Sequence, residues 1–147
     1  MGEFMVIAEG IARRVAAVEG GVAPGALAEI GGEVSTAAGL GPYINCYPGT
    51  PSNACCPLAL FISLSAQGYA RKRRGQPHLS FAEALDCLVA HMTGECSGIT
   101  RHAVLVTDSW DGTAWMKWHN TVKNLRQNAT IEIYLITGEG TVTEIDF

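Results

Sequence analysis

A chain of 147 residues with net charge −4 and a pI near 5.5 fits one domain. It has no overall positive field for nucleic acid or anionic lipid, so any such contact must be local. The longest apolar run, residues 57–65, is far short of the roughly 20 residues that cross a bilayer. The N-terminus also lacks the apolar core of a signal peptide, and a soluble cytoplasmic protein without membrane contact is expected. The five cysteines, at 46, 55, 56, 87 and 96, are odd in number and include an adjacent pair, in a chain long enough to fold unaided, which argues against a disulfide framework.

In chain order, residues 1–4 read as a cloning scar and 5–147 as a single domain. Val6, Ile7, Ile11, Val15 and Val18 recur near helical spacing and predict a short amphipathic helix over 5–19, stopped by Gly20-Gly21. A weaker helix is expected over 26–30. The Gly-, Ala- and Pro-rich stretch from there to Pro51 then reads as a surface loop. Pro57 suits a first helical position, with Cys56 at the cap. Leu58, Leu60, Phe61, Ile62 and Leu64 make the following turns apolar nearly all round, so a buried central helix is expected, ending near Gln67-Gly68. Arg71, Lys72, Arg73 and Arg74 form a basic loop, read as a solvated connection or as a local phosphate or partner contact.

Ser80-Phe-Ala-Glu is a capping box, and Phe81, Ala84, Leu85, Leu88 and Val89 follow at helical spacing up to Thr93-Gly94. The period then changes from 3.6 to 2. His102–Thr107 reads as a buried strand, Asp111-Gly112 as a hairpin turn, and 113–118 as the returning strand. Thr130–Ile136 and 141–145 add two more strands. Helices followed by strands predict an α+β fold with a C-terminal antiparallel sheet. Trp110, Trp115 and Trp118 are expected to pack the hairpin, and His78 and His91 to sit at the surface.

Cysteine entering a helix and histidine entering a strand is the layout of a thiol hydrolase. Orphan N–H groups and the helix dipole stabilise the thiolate, and an imidazole completes its activation. Cys56 is the candidate nucleophile, with Cys55 as the alternative, and His102 is the candidate base. Asn120 follows the returning strand and is the candidate orienter of the imidazole, with His119 and Asp108 as rivals. Asn53 is placed to hold an oxyanion together with the Cys56 N–H. A zinc site built around Cys87, His91 and Cys96 is the weaker use of those residues, and Cys87 reads better as a small buried hydrophobe. No metal or organic cofactor is required.

Cys56-Pro-Leu-Ala-Leu-Phe-Ile, Arg101-His-Ala-Val-Leu-Val, and Gly112-Thr-Ala-Trp-Met-Lys-Trp-His-Asn120 together resemble the motifs of papain-like cysteine proteases, especially the compact viral leader and helper-component type. The resemblance covers roughly residues 43–137. Pro57 stands where that family has Trp or Tyr, and Cys46-Tyr47 offers the family's dipeptide ahead of a Pro-Gly that cannot continue as a helix. The resemblance implies a papain-like domain that cleaves peptide bonds, its own polyprotein included, with Gly138 or Gly140 as the cleavage position. Two further readings stay open. One is a papain-fold effector or toxin that deamidates or cleaves a host protein. The other is a non-enzymatic binding module with structural cysteines and a partner contact through Arg71–Arg74.

Overall fold

A computed structural model describes residues 5, 9, 43–46, 55, 57–63, 80–136 and 141–147, with the backbone alone at 43–46 and 62. The described residues form an α+β arrangement. In chain order it comprises β1 (Tyr43–Cys46), β2 (Leu58–Ser63), α1 (Phe81–Thr93), β3 (His102–Thr107), α2 (Gly112–Leu125), β4 (Thr130–Ile136) and β5 (Val142–Glu144). Among them the strands make one five-stranded sheet in the order β1-β2-β3-β4-β5.

The sheet corrects the expected antiparallel arrangement: β1 to β4 run parallel, and β5 alone returns antiparallel, along β4. Parallel strands buried on both faces read as continuous apolar runs without alternation. This accounts for the largest correction. Leu58-Ala-Leu-Phe-Ile-Ser is strand β2 and not the start of a central helix, because a six-residue apolar run carries no period that separates the two. β1 likewise falls where a loop was expected. The second correction is α2: Asp111-Gly112 makes no hairpin. The Asp111 carboxylate accepts from the N–H groups of Thr113 and Ala114, at 3.0 and 3.3 Å, and caps a helix that runs through the expected returning strand.

Other expectations match. α1 begins at a reciprocal capping box, with Ser80 Oγ accepting from the Glu83 N–H and the Glu83 carboxylate accepting from the Ser80 N–H. β3, β4 and the β4–β5 pairing lie where the strand pattern places them. Of the helix expected over 5–19, Met5 and Glu9 are described and are helical. The rest of that helix, the segment 26–30 and Arg71–Arg74 lie outside the described residues.

Both helices cover one sheet face, as right-handed crossovers between successive neighbouring strands require. The core on that side joins Ala59, Phe61, Ala103, Leu105, Ile131 and Ile133 of the strands to Phe81, Ala84, Leu85 and Leu88 of α1 and to Ala114 and Val122 of α2. The intervening positions point to the other face. There Leu58, Leu60, Val104, Val106 and Tyr134 are also out of water. Among the described residues no helix is long and apolar enough to cross a membrane.

Candidate functional site

The residues predicted to carry chemistry converge only in part, at the end of the sheet where β2 and β3 begin. Leu58 pairs with His102, and His102 with Thr130. The main-chain N–H groups of Arg101 and His102 both donate to the carbonyl of Pro57, at 3.0 and 3.1 Å. The base candidate is thereby fastened to the residue that follows Cys56. Cys56 and Asn53 themselves lie outside the described residues. Pro57 leads into strand β2, so the helix expected to begin at this residue, and with it the dipole that was to stabilise the thiolate, is not formed.

A disulfide sits at the same end. Cys55 is bonded to Cys96, with Cα atoms 5.1 Å apart and a sequence separation of 41. This corrects the reading that argued against cross-links and removes Cys55 as a nucleophile. The odd cysteine count concealed it, since one bridge needs only one pair. Cys96 lies in the tight turn that joins α1 to β3, where the N–H groups of Ile99 and Thr100 both donate to its carbonyl at 3.0 Å. Glycine builds this turn: Gly98 has φ 87°, and a Cβ on Gly94 would stand 2.8 Å from the Ala90 carbonyl oxygen. Nearby, His91 is half-buried and not the surface residue expected. Its Nε2 lies 2.8 Å from Thr100 Oγ1, its ring stands edge-on to Phe61, and burial lowers its pKa. With Cys96 oxidised and His91 engaged with Thr100, the zinc candidate loses two of its ligands. Cys87 is half-buried on α1, where burial first, and then the Asp86 and Glu83 carboxylates, raise its thiol pKa.

None of the three orienter candidates is placed beside His102. Asn120 is exposed on α2, which packs on the sheet face opposite the one His102 points to. His119 is on the same helix, its Nδ1 3.2 Å from the carbonyls of Trp115 and Met116. Asp108 follows the far end of β3, six residues on and about 20 Å from His102 at the rise of a strand. There its N–H donates to the Ser63 carbonyl, and its carboxylate accepts from Ser109 Oγ.

What the sequence reading missed is the polar row of β4. Thr130, Glu132 and Tyr134 alternate with Ile131, Ile133 and Leu135, a pattern that predicts a solvated face. Yet Glu132 is 6% exposed and Tyr134 0%. Both lie on the His102 side of the sheet, with Glu132 two residues beyond the partner of His102. A carboxylate between two isoleucines, Ile131 and Ile133, was the available signal, since a buried carboxylate calls for a partner.

The tryptophans pack helices and not a hairpin. Trp110 stacks between Phe81 and Trp115 at 4.7 and 5.4 Å, Trp115 meets Phe147 edge-on, and the Trp118 indole N–H donates to the Asp86 carboxylate. Comparison of the chain with protein-family models, with curated proteins and with solved structures finds no match.

Proposed function

We propose that the chain is a non-enzymatic binding module whose cysteines serve the fold. The Cys55–Cys96 disulfide carries this reading: it joins the segment entering β2 to the turn entering β3, at the amino ends of parallel strands. Ligand and catalytic sites of open parallel sheets gather at the opposite, carboxyl ends. The three groups expected to orient His102 are placed elsewhere, Asn120 and His119 on α2 and Asp108 past the far end of β3, so the expected catalytic set is not assembled as the papain-like reading requires. Partner contact then falls to local basic surface, with Arg71–Arg74 as the candidates named by the sequence.

The test is thiol reactivity: native protein is treated with iodoacetamide from pH 4 to 9 and the modified positions are located by mass spectrometry. The reading expects Cys56 and Cys87 to label slowly at neutral pH and readily after unfolding. Fast labelling of Cys56 near pH 7, slowed by His102→Ala, sinks it.

That second outcome belongs to a thiol hydrolase of papain-like type, and the pair of hydrogen bonds from Arg101 and His102 to Pro57 favours it. Cys56 Sγ would attack a peptide or amide carbonyl while His102 takes its proton. His102 would return that proton to the leaving amine, and water would then release the acyl group. Glu132, on the same sheet face, replaces Asn120 as the group to hold the imidazole. Asn53 keeps its oxyanion role, and the substrate is a polypeptide, either the protein's own precursor or a host protein that is cleaved or deamidated. New termini in a treated proteome indicate cleavage, and a gain of about one dalton on glutamine indicates deamidation.

The cross-link also bears on the expected cytoplasmic location. Disulfides persist in oxidising compartments and in the cytosol of hyperthermophiles, whereas a reducing cytosol holds such a pair as thiols. Alkylation in freshly lysed cells reports which state the Cys55–Cys96 pair occupies.

A further inference from the structure

The two helices on the covered sheet face carry opposite charge. α1 and the turn after it, residues 80–100, hold Glu83, Asp86 and Glu95 and no Lys or Arg. From Gly112 to Ile131 there is no Asp or Glu, in a chain with 14 acidic and 10 basic residues, while Lys117, Lys123 and Arg126 all fall in that stretch. The outer positions of α2 are more specific still. Thr113, Met116, Lys117, Asn120, Lys123 and Asn124 are all exposed. At 3.6 residues per turn they fall within about 120° of the helix circumference and span roughly 16 Å of its length. They offer two ammonium groups, two amides and a hydroxyl, with no carboxylate among them.

We propose that this stripe docks in the major groove of double-stranded DNA, with Lys117 and Lys123 on phosphates and Asn120 and Asn124 toward base edges. Charge and side-chain chemistry both select this partner. Lysines neutralise phosphates, and amides pair with the acceptor and donor edges displayed in that groove, which is wide enough for an α-helix. The deep, narrow major groove of duplex RNA does not admit one. An anionic membrane fits less well. A helix lying in a lipid surface needs a free apolar face, and α2 spends its own on the core through Ala114 and Val122, with Trp115, Trp118 and Leu125 packed beside them. The same anchoring turns the stripe toward solvent. The α1 carboxylate of Asp86 is engaged by the Trp118 indole, and Lys117 Nζ lies 5.0 Å from the centre of the Trp118 ring. The inference rests on the binding-module reading, whose own test is the thiol labelling above, so the two fail separately.

Fluorescence anisotropy of the full chain against a labelled duplex of about 20 base pairs, from about 50 to 200 mM KCl, tests it. Micromolar binding that weakens steeply with salt is expected. Lys117→Gln with Lys123→Gln should weaken it at least about tenfold at the low salt and reduce the salt slope by about 2. Asn120→Asp should weaken it several-fold with the circular dichroism spectrum unchanged. The proposal is overturned by no binding up to about 100 µM protein at low salt, where non-specific DNA binding is already measurable. Affinity unmoved by the double lysine variant also overturns it; if neutralising Arg71–Arg74 then abolishes binding, the contact lies on that loop. Equal affinity for single-stranded DNA, or for a polyglutamate peptide, overturns it as well and points to any polyanion, an acidic protein included.

Discussion

α1 and α2 are similar in length and lie on the same face of the sheet, yet they are held in different ways. α1 buries Phe81, Ala84, Leu85, Leu88, Val89 and Met92, starts at a reciprocal capping box, and ends in a turn tied by the disulfide to the segment entering β2. α2 buries only Ala114 and Val122 and is otherwise held by half-buried Trp115, Trp118 and Leu125, by Asp111 at its start, and by Arg126 at its end. Arg126 donates to the Phe147 carbonyl at 2.6 Å and lies 4.0 Å from the centre of the Phe147 ring. One helix is a wall of the core. The other rests on it and leaves most of its surface to solvent.

The tether should account for the largest part of the difference between the two helices. Cys55→Ser with Cys96→Ser should cost about 4 kcal/mol by the loop-entropy estimate for a span of this length. Urea unfolding of the double variant against the parent measures it, and a loss under about 1 kcal/mol would show that the α1 end is held without the bridge. Next comes the packing difference. Leu88→Ala should cost about 3 kcal/mol, since Leu88 is fully buried, whereas Met116→Ala on α2, 70% exposed, should stay within about 0.5 kcal/mol. The two caps should also act separately. Ser80→Ala and Asp111→Ala should each cost about 1 kcal/mol. Hydrogen exchange should show the Asp111 variant loosening α2 alone, because α1 keeps its own cap and tether. Equal loosening of both helices would mean that they unfold as one unit.

Stability should respond only weakly to pH. Burial holds the His91 pKa below its ordinary 6.5, so the folded state favours the neutral ring. Stability is therefore full above the unfolded value and falls as pH drops through 6.5 toward the folded pKa, because the unfolded chain takes up the proton first. His91→Gln should flatten that slope between pH 7 and 5. The Cys87 thiol runs the other way. Its pKa is raised above 9.0, so its contribution is intact below that value and declines as alkali ionises the unfolded thiol first.

α1 was legible from its residues because every local signal agrees there: capping box, apolar period and glycine stop. α2 was not, because Asp-Gly serves both as a hairpin turn and as the start of a helix, and Thr-Ala-Trp-Met-Lys-Trp happens to alternate. The tie was broken by tertiary context: β4 pairs parallel to β3, and a parallel neighbour requires a crossover that a two-residue turn cannot make. The same blindness hid β2, whose apolar residues satisfy a helix or a doubly buried strand equally well. His102 opens a strand, as its sequence predicts, and its N–H donates to the carbonyl of Pro57, though Pro57 leads into a strand and not into the expected helix. Its expected companion Asn120 was lost with the hairpin that was to deliver it, and Glu132 was overlooked because an alternating strand implies a wet face.

Sequential strand order suits assembly during synthesis. Each described strand hydrogen-bonds only to its predecessor and its successor, so no strand must wait for a distant part of the chain before it can dock. A sheet with this order can grow by accretion while the polypeptide is still being extended, in the direction of synthesis. Both sulfurs of the bridge lie upstream of β3, α2, β4 and β5. Oxidation of that pair can therefore precede the rest of the sheet and leave a cross-linked template onto which the later strands are added one at a time.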